Sequence, residues 1–193
     1  MSFAPGLCDM PDLSDLIDAG QLMAGIVLHT FTGPRGATER EASYRKNLAR
    51  LVDKAVREYQ EAREACEQLV FSRGVRDAVI FCDHMENCIN AVHRAIRLLD
   101  RIKQANNIGR NLNRTLKRKI AAGSRFIENI RDTFEHIDER IQRDQIPAGE
   151  LIMIGLAGAT NDRIRVAGEE LRLDDLAQTI RTLRELGRVL VKI

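Results

Sequence analysis

The chain has only four histidines in 193 residues, and one of them, His136, stands five positions after Arg131 and four after Asp132. An imidazole is the side chain that changes charge near neutral pH. A guanidinium fork suits phosphate better than an ammonium does. A carboxylate one helical turn from the ring would favour its charged form and fix its orientation. Arg131, Asp132 and His136 are therefore the candidate catalytic residues.

Helix geometry tests the set. With 100° per residue and Ile130 set to zero, Ile127, Phe134 and Ile137 fall at about +60°, +40° and −20°, so the buried direction lies near +20°. His136 falls at about −120° and Asp132 at about −160°, on the far side, while Arg131 flanks the stripe at about +100°. His136 is thus expected to face water or a partner chain. Arg131 and His136 diverge by about 140°, so one helix does not aim both at one phosphate. Two copies facing each other across a dimer axis would, and a homodimer is expected. Glu128, Asp132, Glu135, Asp138 and Glu139 crowd the same polar face, where they would repel a polyanion. A solvated helix face with i to i+4 pairs such as Arg131 with Glu135 explains the same residues without chemistry.

A second feature lies between Arg94 and Arg125. Ten basic residues (Arg94, Arg97, Arg101, Lys103, Arg110, Arg114, Lys117, Arg118, Lys119, Arg125) face one acid, Asp100, for a local balance of ten minus one, +9. Arg110, Arg114, Lys117, Arg118 and Lys119 are the candidate nucleic-acid contacts. No aromatic residue interleaves with them, so contact would be to the backbone rather than to stacked bases. Cys82, His84, Cys88 and His93 do not have zinc spacing, because Cys82 and Cys88 diverge by about 120° on a helix. Cys8 and Cys66 fit no disulfide or metal pattern either. Gly155-Leu156-Ala157-Gly158 is read as a hairpin loop, since no helix opens after it. Neither metal nor cofactor is expected.

The elements that must hold these residues are mostly helical. Residues 1–36 carry three of the four prolines and one short helix near Leu13 to Leu28. Three long helices are predicted over residues 37–145. The first, from about Thr38 to Ser72, has Leu48, Val52, Ala55, Tyr59, Ala62, Cys66 and Leu69 at alternating steps of four and three, and Gly74 ends it. The second, from about Arg76 to Gln104, has the stripe Val79, Cys82, Met85, Ile89, Val92, Ile96 and Leu99. The third, from about Leu112 to Arg143, has Leu116, Ile120, Ile127, Ile130, Phe134, Ile137 and Ile141, with Gly123-Ser124 a candidate kink. In residues 146–193, Leu151 to Leu156 and Arg163 to Val166 read as a β-hairpin. Asp174 is the expected N-cap of a last helix buried through Leu176, Ile180, Leu183 and Leu190. The fold class is mainly α: an antiparallel helical bundle with a small C-terminal β-hairpin and terminal helix.

Hydrophobic residues make up 44% and charged residues 30%, enough for a core and a solvated surface, while aromatics are only 4%. The net charge of +2 excludes a global polycation, so any affinity for nucleic acid must be local. With no membrane-length apolar run and no basic residue before Arg35, neither a spanning helix nor a secretory signal is expected, and a cytoplasmic location fits the unpatterned cysteines.

The spacing Arg131-x4-His136, the polar residue directly after the arginine, and the string Glu135-His136-Ile137-Asp138-Glu139-Arg140 on the last bundle helix resemble the HEPN superfamily. The likeness covers roughly residues 38–145. It implies a homodimer with a composite cleft between protomers and metal-independent RNA cleavage. His136 would then be general base or acid at the 2′-hydroxyl and leaving oxygen. Arg131 would stabilise charge on the phosphate, and Asp132 would orient His136. DNA, lacking the 2′-hydroxyl, would not react. The resemblance further implies a toxin or phage-defence setting with a protein inhibitor or antitoxin as partner. The alternative is a non-catalytic HEPN-like module that binds a protein or a nucleotide.

Overall fold

Two of the predicted apolar stripes meet as the longest helix pair of the molecule. The computed structural model describes residues 7–18, 21–32, 38–104 and 114–192. Its elements are α1 (Ser14–Asp18), α2 (Leu22–Thr32), α3 (Glu39–Ser72), α4 (Val75–Gln104), α5 (Arg114–Glu135), α6 (Ile137–Gln142), β1 (Gly155–Ala157), β2 (Arg163–Val166), β3 (Glu169–Arg172) and α7 (Leu173–Lys192). The fold is mainly α, as the periodicity predicts, with a small antiparallel sheet before the terminal helix.

A capping box opens α3. The Thr38 hydroxyl accepts from the Glu41 N–H at 3.2 Å, and the Glu41 carboxylate accepts from the Thr38 N–H at 2.9 Å. Arg73, not Gly74, takes the left-handed conformation that ends the helix, with φ 54°. Only Arg73 and Gly74 separate α3 from α4, which forces the two helices to run antiparallel. Links between Lys54 and Asn87, Glu58 and His84, and Ala55 and Cys88 confirm that direction. Every predicted stripe residue of α3 is buried, and so are Cys82, Met85, Ile89, Val92, Ile96 and Leu99 of α4. Val79 is the exception at 43% exposed. It sits near the hairpin tip, where Phe71 and Val75 are also exposed. There the stripe continues in sequence but no third element covers it among the described residues.

The short helix expected over residues 13–28 is two helices, α1 and α2. The N-terminus of α2 is capped from afar: Asp53 of α3 accepts the Leu22 and Met23 N–H groups at 3.0 and 2.9 Å. The same carboxylate pairs with Arg184 of α7, which is 3% exposed and also donates to the Leu16 carbonyl. One buried ion pair thus ties α2, α3 and α7 together.

The third predicted helix is also two elements. α5 runs unbroken through Gly123 and Ser124, so there is no break there. The interruption is at His136, with φ −108° and ψ 22°, after which α6 buries none of its residues. Ile141 is accordingly exposed, contrary to the stripe. Gly123 lets α5 approach α7 closely, since a Cβ there would lie 2.7 Å from Thr179 Oγ1.

The expected hairpin is a three-stranded sheet in the order β1-β2-β3. Leu156 pairs with Ile164 and Ile164 with Leu171, so one apolar row crosses the sheet toward α5. β2 and β3 join through Ala167 and Gly168, both at positive φ (45° and 85°), a two-residue turn of the kind that matches strand twist. α7 starts at Leu173, one residue before the expected cap, with Asp174 and Asp175 in its first turn where the helix dipole favours acids.

Candidate nucleic-acid interface and the Arg131–His136 edge

Arg131 and His136 sit at the C-terminal end of α5 and at the break that follows it. The Ile127 and Ile130 side chains hold that end of the helix in the core. The His136 N–H donates to the Asp132 carbonyl and its carbonyl accepts from the Arg140 N–H, both at 3.1 Å. Its side chain is 55% exposed, on the outward side that the helix projection gives. Nδ1 lies 3.4 Å from Glu139 Oε1. Asp132 does not take the role of orienting carboxylate: it accepts from Arg131 Nη1 at 2.8 Å, and Glu139 is the acid beside the imidazole. The i to i−4 backbone bond between residues 136 and 132 is kept, so the exchange lies in the side chains: Arg131 holds the Asp132 carboxylate and leaves Glu139 to the ring.

Arg131 is half-buried and held twice, by Asp132 and by Glu135. Burial works against its charge, but the hydrogen bonds and charges of those two acids more than offset it, and the guanidinium stays ionised. Its Nε is buried and has no partner. The i to i+4 pair with Glu135 is the one the spacing predicts.

His93 enters this site from α4, where sequence reasoning had weighed it only as a metal ligand. Burial, then the Arg131 charge, push its pKa below the usual histidine range, against the pull of Glu128 and Asp132. No signal in the linear sequence joins residues 93 and 131, because the α4–α5 packing alone does so. The other cysteine and histidine candidates diverge. His84 bonds Glu58 at 2.9 Å, Cys88 lies against the Ala55 carbonyl, and Cys82 lies against Glu86. Among the described residues no three metal-binding side chains converge.

The basic surface is built on α4 and the first half of α5. Arg94, Arg97, Arg101, Arg114, Arg118, Lys119 and Arg125 are all exposed. Among the described residues none of the seven makes an ion pair, in contrast to Arg131, Arg143, Arg163, Arg165 and Arg181. Lys117 is half-buried and lines a pocket with Ile96, Leu99, Asp100 and Ser124. At about 90 Å³ that pocket is too small for a nucleobase. Arg110 lies outside the described residues. Charge is segregated along α5 and α6: residues 114–125 hold five basic side chains and no acid, whereas 128–139 hold five acids and one arginine.

No protein-family model, curated protein or solved structure matches the chain. The site must therefore be read from its own chemistry. Among the described residues no helix is long and apolar enough to cross a membrane.

Proposed function

We propose that this chain binds RNA through its phosphate backbone on the α4–α5 surface, and that the Arg131–His136 edge cleaves it when a second copy stands opposite. The observation that carries the binding half is the set of seven exposed basic side chains on two adjacent helices, none of them neutralised by a described acid. Such cations release condensed counterions when they meet phosphate, which gives affinity without base recognition. The small pocket fits backbone contact, while Phe126, exposed beside Arg125, is the one described aromatic side chain on this stretch of α5 that could stack on a base.

The cleavage half rests on the HEPN resemblance and on α5 itself. Arg114, Arg118, Arg125, Glu128, Asp132 and Glu135 lie within about 50° of one line along the helix. Two such helices placed antiparallel across a two-fold axis near residues 133–134 set Arg131 of each copy beside His136 of the other, an isologous contact. In that register the basic half of α5 and Arg94, Arg97 and Arg101 on α4 stay clear of the two-fold contact and are open to RNA. His136 then serves as acid or base at the 2′-hydroxyl, and Arg131 offsets charge on the phosphate.

A second reading is a non-catalytic RNA- or protein-binding module, and the pairing of Arg131 with Asp132 and Glu135 favours it. One experiment separates the two. Labelled RNA is incubated in EDTA with the protein, with His136→Ala and with Arg131→Ala. Cleavage predicts decay with the parent protein alone. Equal decay in all three ends the enzyme reading and leaves the binding reading in place. Light scattering at micromolar concentration tests the dimer, and a clean monomer removes the only arrangement that joins Arg131 to a His136.

A further inference from the structure

Residues 7–13 have no regular secondary structure, yet they are held at both ends of a short strap across α3. Two residues of α3 hold it by hydrogen bonds. Arg63 Nε donates to the Met10 carbonyl at 3.1 Å, and Gln60 accepts from the Leu13 N–H and donates to Asp12. Cys66, one turn further along, is fully buried beneath the strap. On its other side the strap meets the loop between β1 and β2: the Asp9 N–H donates to the Thr160 carbonyl, and Asn161 Nδ2 donates to the Leu7 carbonyl. Cys8 lies between these anchors, half-buried, with its sulfur 2.8 Å from that of Cys66, 58 positions away in sequence. A disulfide needs about 2.05 Å between the sulfurs, so closing the gap asks for less than about 1 Å of movement.

We propose that Cys8 and Cys66 form a reversible disulfide that fastens this strap to α3 under oxidation by a peroxide. The two sulfurs share one S–H···S contact, and that contact and then burial keep the Cys66 thiol protonated, while the half-buried Cys8 is the one favoured as thiolate. Cys8, the more accessible of the two, attacks hydrogen peroxide. The O–O bond breaks, Cys8 becomes a sulfenic acid, and hydroxide leaves. The Cys66 sulfur then attacks the Cys8 sulfur. The S–O bond breaks, and the hydroxyl departs as water with the Cys66 proton. Overall the two thiols lose two electrons and two protons, and one peroxide becomes two waters. A dithiol reverses the step by exchange. Cys82 and Cys88 do not compete. Each is buried away from the other, and burial lifts the Cys82 thiol to about 12. The proposal is independent of any action on RNA.

The test uses the full chain treated with hydrogen peroxide, followed by peptide mass mapping without reductant. The expected product is a Cys8–Cys66 cross-linked peptide lacking two hydrogens, absent after dithiothreitol and absent in Cys8→Ser. Because the bond closes a long loop, the melting temperature should rise on the order of 10 °C on oxidation and return on reduction. Sulfinic or sulfonic acid on Cys8 with Cys66 still a thiol would overturn the proposal. So would a cross-link that joins any other pair of cysteines, within or between chains. The mapping on the unaltered chain decides the matter even where a cysteine variant fails to fold.

Discussion

Replacing Asp53 by alanine should be among the most damaging single changes outside the pure hydrocarbon core. Its carboxylate is 11% exposed and serves three groups: the Leu22 and Met23 N–H donors at the start of α2, and Arg184, whose side chain is 3% exposed. Removing one partner of a buried ion pair costs about 3–5 kcal/mol, because the remaining charge is left uncompensated. Losing a helix cap adds about 1 kcal/mol. Arg184 keeps its bond to the Leu16 carbonyl at 3.1 Å, which places the sum toward its lower end, at about 4 kcal/mol. That is a large share of the roughly 5–15 kcal/mol typical of a domain. Urea denaturation followed by circular dichroism measures it. The double variant Asp53→Leu with Arg184→Met removes the stranded charge as well, and should be more stable than Asp53→Leu alone. A single variant within about 1 kcal/mol of the parent would refute the reasoning, as would a double variant that loses the sum of the two single losses.

Three further outcomes follow from the geometry. Gly123→Ala should lower stability by about 1–3 kcal/mol despite the better helix propensity of alanine, because the new Cβ would crowd Thr179 Oγ1 at 2.7 Å while that hydroxyl is engaged with the Asp175 carbonyl; a higher melting temperature in the variant would contradict this. His93 has its folded-state pKa lowered from 6.5 by burial and by Arg131, so its contribution to stability is present above about pH 6.5 and is lost as pH falls below it. Unfolding free energies at pH 7 and 5.5 should differ less in His93→Gln than in the parent, and an unchanged difference would count against the α4–α5 placement. Replacing Arg94, Arg97 and Arg101 together by glutamine should reduce the salt slope of single-stranded RNA binding by about 2, at about 0.7 per phosphate contact. A parent protein whose affinity does not vary with salt would remove the binding reading.

Which parts were legible depended on how local their causes are. The α3 and α4 stripes repeat every three to four residues, and a helix translates that period directly into one buried face, so nearly every stripe residue lies where the period puts it. The outward direction of His136 and the partial burial of Arg131 followed from the same rotation. β3 was missed although its signal was present. Val166-Ala167-Gly168-Glu169 is a two-residue turn flanked by alternating apolar residues, but the turn uses an alanine at positive φ in place of the usual Asn or Asp. The break at His136 had no marker, as neither proline nor glycine stands there. Beyond it α6 buries none of its residues and Ile141 is exposed.

By itself the sequence determined the helical class, the paired stripes of α3 and α4, the outward imidazole and the concentration of basic residues around the α4–α5 connection. Each is a property of residue type and period along a single element. Only the tertiary structure decided that Asp53 caps a helix 30 residues away, that His93 feels Arg131, that Arg131 is spent on Asp132 and Glu135, and that two unpatterned cysteines touch. Those relations depend on which faces of separate elements are pressed together. Packing of the whole core sets that choice, and no local spacing encodes it.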